Sequence, residues 1–387
     1  MLGIVFLLAA ALEWNPAPRQ DPAPVPAGCR SCKQRGVTDC PEHEEDTRAL
    51  ESAVRCSQAA SCQKCGGSLV LDCPKCEGGP ESAPAEARRA ELVAWRATGR
   101  LPVEDLLGRE VLRIEPEHVH LAAEIVALKD GKKKVDGHRF LHTLARDAEM
   151  AAGMVDAHYS VDRARDYKAP MRLWFWQKPA VHRQVMQEYL KVSGAGDVKI
   201  LGRKPQFSVC TSDDSFQDDY LVLLTLGVHN VTHMLLSNLW DETWIGDQGA
   251  GWFDAGAAHW YEEKIYGRSR HFCIDEAGSP PTWEDGVWRS AIRALLQRQD
   301  AVLFPELLKK QTGEMTPEQH ALCWSIYDWL VATRPEALVP ILKAAKGKKP
   351  ARELLPETIG MGILDAEKAW RAWVESTYPG REKKPKD

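Results

Sequence analysis

Two kinds of side chain in this 387-residue chain have the type and spacing to do metal chemistry. The first is the histidine pair His229 and His233 in GVHNVTHMLLSNLW, residues 227–240. On a helix, residues four apart share one face, so both imidazoles can reach one cation, at about 2.0–2.1 Å for zinc. The second is a set of cysteines in two stretches that align without a gap. CRSCKQRGVTDCPEH (29–43) and CQKCGGSLVLDCPKC (62–76) both read C-x2-C-x7-C-x2-(C or H), and both carry Asp-Cys-Pro before the last pair. A C-x2-C turn aims two thiolates at one tetrahedral ion, with sulfur about 2.3 Å from zinc. Cys29, Cys32, Cys40, His43, Cys62, Cys65, Cys73 and Cys76 therefore predict two structural zinc ions. His43 stands where a fourth cysteine would, and an imidazole can replace a thiolate on zinc but cannot form a disulfide. Cys56 lies outside the repeat and makes the cysteine count of 29–80 even, which leaves open a disulfide framework with Cys40 paired to Cys56.

The surrounding composition shows how these groups are carried. MLGIVFLLAAAL followed by a Pro-rich stretch reads as a signal peptide over 1–12, so an exported protein is expected, periplasmic, secreted or at the cell surface. A Pro/Ala-rich linker spans 13–28, the double zinc-binding domain 29–80, a charged helical linker 81–108, a large domain 109–376 and a charged tail 377–387. The large domain holds twelve of the fourteen tryptophans, so the main core is expected there. Within it, REVLRIEPEHVHL, MRLWFWQ and QFSVC are strand-like. HRFLHTLARDAEMAAGMVDAHY, AVHRQVMQEYLKV, DDYLVLLTLGVHNVTHMLLSNLW and GWFDAGAAHWYEEKIYG are helical, and so is most of the remaining chain up to WRAWVESTY. Strands early and helices late predict an α+β fold. No window approaches 18 consecutive apolar residues, so no stable membrane span is expected. Net charge is -5, and the 28–80 segment balances seven Lys/Arg against eight Asp/Glu. Neither provides a phosphate-neutralising stripe, so nucleic acid is not an expected partner.

The cysteine-rich segment resembles the zinc-binding domain of DnaJ-type co-chaperones, whose unit is C-x-x-C-x-G-x-G. Cys62, Cys65 and Gly67 match one unit, with Leu69 at its last Gly. Cys73, Cys76 and Gly78 match another, with Pro80 at the last Gly, and Cys29, Cys32 and Gly36 match with Gln34 at the first Gly. In that family the first and fourth units share one zinc and the middle two the other; sequential pairing stays equally open here. There is no J-domain signature.

Residues 109–376 resemble gluzincin, peptidase-MA-like metallopeptidases of exported bacterial proteins. Those enzymes carry H-E-x-x-H, in which the glutamate deprotonates zinc-bound water, followed by a W-x-x-E-G-x-A-x-(Y/W) helix that supplies the third zinc ligand. Trp252, Gly256, Ala258 and Trp260 match that helix. Asn230 occupies the general-base position and Ala255 the third-ligand position, and neither side chain can do the work. The leading expectation is a bacterial pseudoenzyme with two structural zincs and no catalytic one, binding a peptide or protein between the two helices. One alternative is an active zinc metallopeptidase with a non-standard ligand set, His229, His233 and His259. Another is a zinc-ribbon scaffold. Glu262 and Glu263 read as solvent-facing charges, His118 and His120 as half-exposed strand histidines, and Cys210, Cys273 and Cys323 as isolated buried thiols or a disulfide.

Overall fold

The computed structural model describes residues 29–76, 78–98, 101–193, 196–211, 218–273, 283–298 and 303–380; the segments expected as a signal peptide (1–12) and a Pro/Ala-rich linker (13–28), and most of the charged tail, lie outside them. The architecture is mixed, with a small sheet early in the chain and mostly helix after it. The main sheet has six strands in the order Arg55–Cys56, Leu112–Glu115, Val119–Glu124, Met171–Trp176, Gln206–Thr211, Val198–Ile200. Its three central strands run parallel, and the outer pairings are antiparallel. A parallel neighbour cannot be reached by a tight turn. The helix Gly137–Tyr159 lies within the crossover from Val119–Glu124 to Met171–Trp176.

Strand alternation builds two cores from one strand. Leu173 and Phe175 face the helices Gly137–Tyr159 and Tyr220–Asn238. Trp174 and Trp176 face Val181, Val185 and Met186 on the other side. Each such buried aromatic or aliphatic side chain contributes about 1.5–3 kcal/mol. This explains why MRLWFW is apolar on nearly every residue.

Tyr220–Asn238 begins at Asp219, whose carboxylate accepts from the Val222 amide, and every residue from Leu223 to Asn238 is buried. It is long and apolar enough to cross a bilayer, but 83% of its most apolar window is buried inside the fold. The next helix, Gly251–Tyr266, packs against both Tyr220–Asn238 and Pro317–Thr333. Gly256 permits the second contact: a Cβ there would meet the Cys323 carbonyl oxygen at 2.5 Å.

The cysteine-rich segment has almost no apolar core of its own. One of its clusters consists of Cys32, Cys73 and Cys76 with Cys29 against them. It joins the rest of the molecule in three ways. Arg55–Cys56 forms the edge strand of the main sheet, pairing with Leu112–Glu115. The helix Ser82–Ala97 straps it: Arg88 donates to the Glu51, Val54 and Gly67 carbonyls at 2.6, 3.1 and 3.1 Å, and Arg89 to that of Cys65 at 3.1 Å. Trp95 donates to Glu115 at 2.7 Å. The 81–108 stretch is thus packed along most of its length.

Candidate metal centres

Val37–Asp39 pairs antiparallel with Val70–Asp72, and this small ladder decides which cysteine turns meet. It places the first turn beside the fourth and the second beside the third. Cys29, Cys32, Cys73 and Cys76 form one four-donor cluster; Cys40, His43, Cys62 and Cys65 form the other. The pairing is nested rather than sequential. All eleven cysteines are free thiols, Cys40 and Cys56 included.

The spacing fits a tetrahedral cation. Four sulfurs at zinc distance would lie about 3.8 Å apart, and an imidazole nitrogen about 3.5 Å from a sulfur. Here Cys29 Sγ and Cys73 Sγ are 3.9 Å apart, Cys32 Sγ and Cys76 Sγ 3.6 Å, and His43 Nε2 lies 3.2 Å from Cys65 Sγ. His43 Nδ1 in turn sits 2.8 Å from the buried Glu51 carboxylate. A carboxylate on the far nitrogen of a ligating histidine fixes its tautomer and raises its basicity. The hydrogen bond from Cys76 draws Cys29 down to about 6, within reach of a thiolate at neutral pH.

Left-handed backbone persists in the turns even where glycine does not. Gln34 has φ +66° and Leu69 φ +64°, at two of the positions where the resembled repeat carries glycine. Gly36 is required twice over, by φ +82° and by the Gly79 backbone, which a Cβ would meet at 2.3 Å.

The histidine helix forms a third convergence, with a donor that the spacing alone did not reveal. His229 Nε2 lies 3.1 Å from His233 Nε2 and 3.2 Å from Cys273 Sγ, and Cys273 Sγ lies 3.4 Å from His233 Nε2. Three atoms at nearly equal separation, each with a free electron pair when deprotonated, form one face of a tetrahedron around a common centre. A zinc ion there would ask for about 3.3 Å between nitrogens and 3.5 Å from nitrogen to sulfur. Both histidines have buried carboxylates behind them. His229 Nδ1 is 3.1 Å from Glu262, and His233 Nδ1 is 2.9 Å from Asp254, off the straight line of a hydrogen bond. Glu262, expected in solvent, is fully buried because four donors converge on it: Ser269 Oγ, His229 Nδ1 and the amides of Arg270 and His271. Burial pushes it up to about 7.

The remaining sequence-derived residues fall around this centre. Ala255 is fully buried. His259 shares a candidate donor cluster with His229 and Glu262, their ligand atoms all within 4.8 Å of one another, while its Nδ1 also pairs with Ser269 at 2.7 Å and its Nε2 with His320 at 2.9 Å. His271 offers a ring nitrogen within 4.8 Å of the His229 and Cys273 donors. Asn230 donates to Asp197 at 2.9 Å and accepts from Lys199 at 3.4 Å, so its amide is tied into a buried ion pair. Burial by itself would raise the Cys273 thiol, but the Lys199 ammonium, with His233 and His271, holds it well below the ordinary thiol range. Elsewhere, Cys210 is buried beside Asp197, and Cys323 against Met315. His118 is buried between Glu149 and Asp156, and His120 is half-buried near Glu115.

Local signals for the missed donors exist. His271-Phe272-Cys273 is a short chelating pair, and Asp254 and Glu262 are eight apart on one helix. Their meeting with His229 and His233 is tertiary. The chain matches no protein-family model and no curated protein.

Proposed function

We infer that this chain is a non-hydrolytic, zinc-stapled protein that engages a peptide or protein through its cysteine-rich segment. The observation that carries the reading is that Cys273 stands against both imidazoles where a hydrolase would keep an open coordination position. His271 adds a fourth donor beside it. A structural zinc site is closed by four protein ligands, whereas a catalytic one keeps a place for water. Asn230 cannot take a proton from such a water. The faces of the two helices that would frame a substrate groove are filled: His229, Asn230, His233, Ala255 and His259 are all fully buried.

The cysteine-rich segment carries open space. Two clefts, of about 420 Å³ and about 700 Å³, flank the Cys62–Cys65 turn and share Gln63 and Lys64 in their walls. The larger carries both signs of charge, with Glu42, Glu44, Lys134 and Arg139 in its lining and Arg139 paired to Glu44 at 3.8 Å. Mixed charge without a basic stripe suits a polypeptide better than a nucleic acid. Zinc in the two nested clusters supplies the folding free energy that this coreless segment lacks.

The test joins metal content to hydrolysis. The purified full chain is expected to hold one zinc that is lost on Cys273→Ala and unaffected by Cys32→Ser, and to leave casein uncut. Casein cleavage that a chelator abolishes would refute the reading.

A further inference from the structure

We propose that Cys56, His138, His142 and Glu51 form a further site for a zinc-class cation, at the seam between the cysteine-rich segment and the helix Gly137–Tyr159. This rests on a different set of residues from the His229 centre and stands or falls separately. Cys56 lies on the edge strand Arg55–Cys56, while His138 and His142 lie one turn apart at the start of the helix. Their donor atoms and the Cys56 sulfur all lie within 4.8 Å of one another.

His138 Nε2 is 3.0 Å from His142 Nε2 and 3.0 Å from Glu51 Oε1, with the thiol of Cys56 close by. One N–H can point at only one of these acceptors. A cation among Cys56, His138 and His142 satisfies these three donors at once, with the Glu51 carboxylate beside His138 to complete the set. The two imidazoles meet as His229 and His233 do, edge to face with ring centroids 4.6 Å apart against 4.8 Å. Cys56, Glu51 and His142 are at most 1% exposed, so each polar group there must find its partner inside the protein. One thiolate, two imidazoles and one carboxylate are a donor set that selects zinc over calcium or magnesium.

The site also has a path to solvent and a link to its neighbour. His138 and Glu51 line the 700 Å³ cleft. The other oxygen of Glu51 holds His43 Nδ1 at 2.8 Å, so one carboxylate serves the seam and the inner cysteine cluster together. Metal at the seam would thus clamp the cysteine-rich segment onto the sheet and helix beneath it.

The experiment is elemental analysis and native mass spectrometry of the full chain, loaded with zinc and desalted. Wild type is expected to hold about four zinc ions, two in the cysteine clusters and one each at the His229 centre and the seam. Cys56→Ser and His142→Gln, both close in size to the native residues, should each lose about one ion while keeping the wild-type far-UV spectrum. An unchanged content in whichever of the two is folded overturns the proposal, and so does a wild-type total of about two. If neither variant folds, the His229→Ala chain decides: about three ions support the seam site and about two overturn it. Should Cys273→Ala lose nothing while Cys56→Ser still loses one, the His229 centre fails and the seam site stands.

Discussion

Replacing Glu262 by glutamine tests the His229 centre through a residue that would not touch the metal. The carboxylate takes four donors: Ser269 Oγ at 2.8 Å and His229 Nδ1 at 3.1 Å on one oxygen, the Arg270 and His271 amides at 2.6 and 3.3 Å on the other. Glutamine has one acceptor oxygen. Kept on the two backbone amides, it turns its NH2 toward Ser269 and His229. Ser269 has little freedom to accept, because it already pairs with His259 Nδ1 at 2.7 Å. His229 relieves the clash only by moving its proton from Nδ1 to Nε2, the nitrogen that faces His233 and Cys273. That removes the lone pair a metal needs. Loss of such an outer carboxylate weakens metal affinity about 10–100-fold, or roughly 1.4–2.7 kcal/mol. Chelator-stripped protein should lose a further 1–3 kcal/mol or so, because a buried donor then faces a donor. Zinc competition against a chromophoric chelator measures the first quantity, with the two cysteine clusters as internal references. Thermal unfolding in excess chelator measures the second. An affinity within about twofold of wild type would mean that His229 Nε2 is no ligand.

Other parts of the fold predict three further outcomes. Arg88→Met keeps the packing length but strands the Glu51, Val54 and Gly67 carbonyls. It should cost about 2–4 kcal/mol in urea unfolding, and a loss below about 0.5 kcal/mol would show that the strap is not held by Arg88. Gly256→Ala drives a methyl group against the Cys323 carbonyl at the crossing of two core helices and should cost about 1–3 kcal/mol; an unchanged melting temperature would mean that the helices separate freely there. Asp166 is drawn from its ordinary 3.8 to about 2 by the Arg165 hydrogen bonds. Its contribution is therefore complete above its unfolded value and lost as pH falls through about 2. Asp166→Asn should cost about 1 kcal/mol at pH 7, since Arg165 lies largely in water, and much less at pH 2, where the carboxylate is half protonated; an equal difference at both would refute the ionic account.

The chain's local chemistry was legible before any fold was known. A C-x2-C turn chelates through neighbours in sequence, so the eight donors of the cysteine-rich segment could be named from spacing alone. Periodicity placed the helices Gly137–Tyr159, Tyr220–Asn238 and Gly251–Tyr266 and the strands Met171–Trp176 and Gln206–Thr211, because each buries a face its own sequence marks. The odd residues of the repeat were not legible in this way: only the structure shows that Gln34 and Leu69 keep the left-handed turn without the glycine.

What sequence order could not decide was which distant groups share a centre. Nested pairing of the cysteine turns depends on Val37–Asp39 finding Val70–Asp72, a ladder three residues long. Cys273 reaches His233 across 40 positions, and Cys56 reaches His138 only because Arg55–Cys56 joins the edge of the sheet beneath that helix. Glu262 looks like a surface charge until four donors are folded onto it. Spacing along the chain dictates which donors can point the same way within one turn or helix. Donors from separate elements meet only where packing of the sheet and helices closes the distance, and that packing is set by the whole core rather than by any motif.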